Sequence, residues 1–122
     1  MANEINIQAA LSLQRSTGAL VGTGNLPVSQ TGLNGVLNVQ SITTTGGALS
    51  IGNVSFTSGG YLFVKNLDGT NYVEVGYDSG LSAFFSKLKA SEFCLLPVDP
   101  GKTYYAKANG ASLYVQIAAV EP

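Results

Sequence analysis

This chain has no histidine and no tryptophan, a single cysteine, and few charges: six Lys and Arg against seven Asp and Glu in 122 residues, net −1. Each shortage excludes something. Without histidine, Cys94 has no imidazole to act as its base, and no Ser-His-Asp arrangement can be drawn. One cysteine closes no intrachain disulfide. Cys94 stands in the apolar run Phe93-Cys94-Leu95-Leu96 and is expected to be a small core residue. At 11% charged residues, about half the usual share, the chain lacks the clustered Lys and Arg that phosphate neutralisation needs. No nucleic-acid partner is expected. No apolar run approaches the ~18 residues of a membrane span. The opening MANEINIQ has no basic start followed by an apolar stretch. The expectation is therefore no membrane and no secretion, with the chain made in a cytoplasm and kept there or carried out inside a larger particle. A surface so poor in charge is covered either by Ser, Thr, Asn, Gln and Gly, or by another protein. Charged residues are depleted at interface cores, which tilts the reading towards an assembly subunit.

What is present is strand pattern. Apolar residues make up 45% of the chain, enough for one core in a single domain. Ile5, Ile7, Ala9, Leu11 and Leu13 alternate with Asn6, Gln8, Ala10, Ser12 and Gln14, so residues 4–14 read as a strand with one buried face. Residues 16–35 are rich in Gly, Ser, Thr and Asn. They read as a flexible arm, or as weak edge strands near 19–21 and 27–29, with Pro27 excluding a central strand. Alternation resumes over 36–43, where Leu37 and Val39 face one way and Val36 and Ile42 the other. Tyr61–Val64 and Tyr72–Val75, joined through Asp68-Gly69, read as a central β-hairpin. Further strands are expected over 82–88, 93–98, 103–108 and 111–120, the last two forming an Asn109-Gly110 hairpin. Eight to ten short strands and no helix predict an all-β fold: a jelly-roll-like antiparallel β-sandwich first, a partly open barrel second. Residues 1–122 form one domain in this reading, with strand and arm over 1–35 and the main sandwich over 36–122. Leu62, Val64, Val73, Val75, Leu95, Leu113, Val115 and Ile117 are the expected core.

Several motif look-alikes resolve into turns. Gly101-Lys102-Thr103 resembles the end of a phosphate-binding loop, but Leu96 stands where its first Gly belongs and a strand follows instead of a helix. Asn53-Val54-Ser55 matches a glycosylation acceptor without a secretory context. Asp68, Asn71, Glu74 and Asp78 could offer oxygens to a hard cation such as calcium, at a spacing that matches no loop motif. Glu74 and Glu92 could be paired for sugar hydrolysis, but nothing in the sequence brings them together. The six Tyr and five Phe suit a sugar-binding face, or core and interface. No catalytic, cofactor-binding or metal residue is expected, and no cofactor.

Longer stretches carry a resemblance. Met1-Ala2-Asn3-Glu4-Ile5, Asn38-Val39-Gln40-Ser41-Ile42-Thr43-Thr44 and Ala48-Leu49-Ser50-Ile51-Gly52 are three of them. The others are Gly60 to Asp68 (GYLFVKNLD), Asn71 to Gly76 (NYVEVG), Leu88 to Phe93 (LKASEF) and Tyr105-Ala106-Lys107-Ala108. The chain resembles small virion structural proteins of tailed bacteriophages over most of its length except 16–35. Related sequences often carry an acidic pair in place of Gly46-Gly47, and a Gly in place of Ser91. The resemblance implies a non-enzymatic β-sandwich component of the particle. Within that class the leading expectation is a capsid decoration or cement protein that clamps and stabilises the shell. The alternative is a tail- or fibre-associated module binding a host-surface sugar or protein. A small hydrolase on a sandwich is the last choice. The implied partners are the major capsid protein or another virion protein and further copies of the chain itself, as a trimer. The implied location is the virion, assembled in the host cytoplasm. The Gly-rich segment can add strands to a neighbouring sheet with little demand on side chains. Ile5, Ile7, Leu20, Val21, Leu26, Val28 and Leu33 are therefore the expected interface residues.

Overall fold

The computed structural model of the chain describes residues 5–16, 18–28, 30, 34–80 and 82–121. Among them all regular structure is β, in ten strands with antiparallel pairing throughout. The chain divides at Leu33 into two compact units.

The first unit is a hairpin of β1 (Ile5–Arg15) and β2 (Gly18–Val28), paired over eleven positions from Ile5–Val28 to Arg15–Gly18. The flexible arm or broken edge strands expected after Ser16 are instead one continuous strand. Gly, Asn and Pro are poor strand formers alone, but β1 offers an unbroken ladder, and strand preference depends on such context. Pro27 is accommodated because a two-stranded ribbon has only edge strands.

The second unit holds two four-stranded sheets. One has the order β3 (Gly35–Ile42), β10 (Leu113–Val120), β5 (Tyr61–Asn66), β8 (Phe93–Pro97). The other has the order β4 (Gly47–Ala48), β9 (Tyr105–Ala108), β6 (Val73–Gly76), β7 (Ser86–Leu88). Except between β6 and β7, every connection passes from one sheet to the other. The inward residues of both sheets form one core: Leu62 and Val64, Leu113, Val115 and Ile117 from the first, and Val73, Val75, Ala106 and Leu88 from the second. Leu49, Val54, Phe56, Val98 and Tyr104 close it.

Three sequence expectations are corrected here. The stretch 61–75 is not a hairpin. β5 pairs with β10 and β8, while β6 pairs with β7 and β9 in the other sheet. The turn between them carries the chain across the ~10 Å that separates packed sheets. Nor do β9 and β10 form an Asn-Gly hairpin, since they too lie in different sheets. Gly110 does take φ +84°, in the left-handed region. Leu95, expected in the core, lies half-buried on the outer side, paired with Phe63. Cys94 and Leu96 are the β8 residues that pack against the core. FCLLP is apolar in both phases, so its alternation carried no sign of which side faces in.

Candidate assembly surfaces

In the hairpin, register and alternation sort the side chains into two faces. Ile5, Ile7, Ala9 and Leu11 share one face with Val28, Leu26, Gly24 and Gly22. Asn6, Gln8 and Ala10 share the other with Pro27, Asn25 and Thr23, their ladder partners on β2. Leu11 is 81% exposed and Leu26 48% exposed, whereas Ile5 is buried and Ile7 and Val28 are half-buried. The hairpin is thus an amphipathic ribbon whose apolar face is bare around Leu11 and Leu26. Of the expected interface residues, Ile5, Ile7, Leu26 and Val28 lie on this face. Leu20 stands opposite Leu13 and Val21 opposite Ser12 in the ladder. Leu33 lies outside the described residues.

The second unit carries a surface that sequence reasoning missed. On the outer side of β3-β10-β5-β8, Leu37, Ala118, Phe63 and Leu95 form one row across all four strands. Val39, Gln116, Lys65 and Phe93 form the next. Leu37, Val39, Phe93 and Tyr114 are exposed, and the Phe63 and Phe93 rings stack at 5.6 Å between centroids. Lys65 is the one charge in these two rows. The outer side of the other sheet has the opposite character. Lys107, Glu74 and Lys87 form a row of alternating charge, and Lys87 Nζ sits 4.1 Å from the centre of the Tyr72 ring. One sheet therefore shows water a charged face and the other an apolar one. The signal was available: YLFVKN and FCLLP are apolar in both phases, which an antiparallel sheet wetted on one side is not.

The remaining polar clusters are engaged in holding turns. Asn66 is fully buried. Its Nδ2 donates to the carbonyls of Asn71, Leu88 and Lys89 at 2.8, 3.0 and 3.2 Å, and its Oδ1 accepts from the Asp68 N–H at 2.9 Å. Asp68 accepts from the N–H groups of Asn71 and Thr70, which hold its carboxyl below the usual range. Asp78 is lowered likewise, first by the Ser82 hydroxyl and then by the N–H groups of Gly80 and Ser82. Asp68 and Asp78, proposed from sequence as cation oxygens, are each occupied with their own turn. Among the described residues no group of acidic or sulfur side chains converges as a metal site would. Glu92 accepts from the Lys89 N–H across its own turn, and Glu74 lies within the charged row of β6.

A hollow of about 330 Å³ is lined by Leu49, Ile51, Val54, Phe56 and Tyr104, with Ser55, Thr57 and Lys102 among its polar members. Phe56 and Tyr104 meet edge to face at 5.9 Å, and the Asp99 N–H donates to the Tyr104 hydroxyl at 3.0 Å. Tyr104 also contacts Tyr77 and Phe85, whose rings, with that of Phe84, are exposed. Gly101-Lys102-Thr103 forms the turn before β9.

Comparison with protein-family models, with curated proteins and with solved structures finds no match to this chain.

Proposed function

We propose that this chain is a non-enzymatic structural protein of a phage virion, acting as a capsid decoration or cement protein. The observation that carries this reading is the amphipathic β1–β2 hairpin, whose face from Ile5 to Leu11 and from Gly22 to Val28 carries no charged residue. An isolated two-stranded hairpin is marginal in water, so a ribbon with a bare apolar face is a part built to lie against something. The second unit serves as the rigid body, read as a jelly-roll-like sandwich from its strand orders and its sheet-to-sheet connections. The partners in this reading are the major capsid protein or another virion protein, and further copies of the chain in a trimer. No residue is assigned a catalytic or cofactor role. The resemblance of GYLFVKNLD, NYVEVG and LKASEF to small virion proteins supports the same reading.

The alternative is a tail- or fibre-associated module binding a host-surface ligand. The exposed ring pair of Tyr77 and Phe85 favours it, because sugars stack on exposed aromatic faces. Copy number separates the two. Quantitative mass spectrometry of purified virions is expected to find this chain in proportion to the shell subunit. A few copies per particle would point to the tail, and none would remove both readings.

A further inference from the structure

We propose that the outer face of the β3-β10-β5-β8 sheet is covered, in the assembled protein, by the apolar face of the β1–β2 hairpin of a second copy. This rests on reading the chain as an assembly subunit and names the partner of its arm.

Size is the first argument. With ~3.3 Å per residue and strands ~4.8 Å apart, the hairpin face from Ile5 to Leu11 measures roughly 23 by 10 Å. By the same spacings four strands over about seven residues give a face of roughly 19 by 23 Å. Neither alone reaches the ~800 Å² per partner of a standard stable interface. A copy that lays its hairpin on one neighbour and accepts a hairpin from another buries both faces, roughly 650 Å² of its own surface shared over two contacts. A foreign partner seated on one face would leave the other bare.

Shape is the second argument. The hairpin face is hollow where Ala9 faces Gly24 and Leu11 faces Gly22. A Cβ added at Gly24 would meet nothing within 4 Å, and one at Gly22 only the Leu11 carbonyl at 3.9 Å. The sheet face has knobs, in the exposed Leu37, Val39 and Phe93. Sheets pack face to face by such interdigitation. Charge is the third. The hairpin face from Ile5 to Leu11 and from Gly22 to Val28 holds no charge, and the two sheet rows hold only Lys65, so no like-charge pair on these faces keeps identical chains apart. Because the contact joins two different surfaces of the same chain it is heterologous, and it ends in a closed ring if the rotation permits.

The test uses the full chain with Cys94→Ser as background. Leu26→Cys and Leu37→Cys variants, one carrying a size tag, are mixed and joined by oxidation or a short bismaleimide. The expected product is a tagged–untagged pair, far in excess of what either variant forms alone. Light scattering is expected to show a multiple of the 12.6 kDa chain mass, falling to 12.6 kDa in Leu11→Glu and in Phe93→Glu with unchanged far-ultraviolet circular dichroism. Like-with-like products only, no cross-link at all, or a monomeric parent chain overturns the proposal. Virion association is scored separately. Cross-linked rings absent from virions would sink the virion reading alone, and virion-bound chain without the cross-link would sink the arm exchange alone.

Discussion

Asn66 shows how one polar side chain can fix the route of the backbone. It ends β5 where the chain leaves one sheet for the other, and its amide ties the carbonyls of Asn71, Leu88 and Lys89 together in a fully buried place. Replacing it by Ala removes donors from buried acceptors, each of which costs ~1–3 kcal/mol when left unmade. Asn66→Ala is expected to lower the unfolding free energy by at least ~2 kcal/mol in urea titration, whereas Asn109→Ala in an exposed turn should change it little. Ser91 is the opposite case. It holds φ 65°, a conformation that costs a non-glycine residue ~1–2 kcal/mol. Ser91→Gly relieves that cost but loosens the unfolded chain. The expected net gain is about 0.5–1 kcal/mol, a modest rise in midpoint by the same titration. Gly110 stays glycine for a further reason: at φ +84° an added Cβ would also approach Asn71 Oδ1 to 2.8 Å.

The partly buried Cys94 thiol and the buried Tyr104 phenol are expected to bear on the alkaline limit. Burial pushes the Cys94 thiol up to about 11 and, as the largest cause, the Tyr104 phenol up to about 12. Both groups ionise earlier in the unfolded chain, at 9.0 and 10.0. The folded state therefore binds more protons between those values, and stability falls as pH rises, beginning near pH 9. Melting temperature is expected to be flat just below that pH and to drop above it, and the drop should shrink in a Cys94→Ser, Tyr104→Phe double variant. An unchanged drop would take the alkaline limit away from these two groups. The same burial keeps Cys94 mostly as thiol at neutral pH, consistent with a packing role and little reactivity.

At the scale of elements, strands and their phases were legible in sequence, and pairing was not. Alternation located β1, β3, β5, β6 and β10, and in β5, β6 and β10 it identified the inward residues, because one side of each faces the core; in β1 the face expected to be buried is instead bare at Leu11. Asp68-Gly69 and Asn109-Gly110 marked reversals. A turn residue reports only that the chain changes direction, which a sheet-to-sheet crossing needs as much as a hairpin does. β2 was hidden because its Gly and Thr residues are held by the ladder to β1 rather than by burial. The interface residues proposed from sequence, Leu33 apart, fall in the hairpin, while the apolar sheet face went unseen for want of a phase in β8. That phase is open to measurement. Leu96→Ala, which opens space against the core, is expected to cost ~2–4 kcal/mol. Leu95→Ala, on the outer side, is expected to cost the isolated chain clearly less. Equal costs would mean that the outer face is packed as tightly as the core.

At the scale of the whole molecule the question is whether the hairpin belongs to the stability of the sandwich or to its use. Among the described residues, the core of the second unit is assembled from residues between Ile42 and Ala119, without a member from β1 or β2. The two ends of the second unit are tied to each other: Asn34 Nδ2 donates to Glu121 Oε1 at 3.0 Å, and the Glu121 N–H donates to the Asn34 carbonyl at 3.2 Å. A chain shortened to begin at Asn34 keeps those bonds and the entire core. It is expected to retain an all-β circular dichroism spectrum and a cooperative melt, and to lose both its oligomeric mass and its binding to particles. Unfolding of the shortened chain would make the hairpin part of the sandwich's stability after all. A folded monomer that still binds particles with unchanged affinity would move the docking role from the hairpin to the sandwich, where the apolar rows around Phe63 and Phe93 are the surface left to carry it.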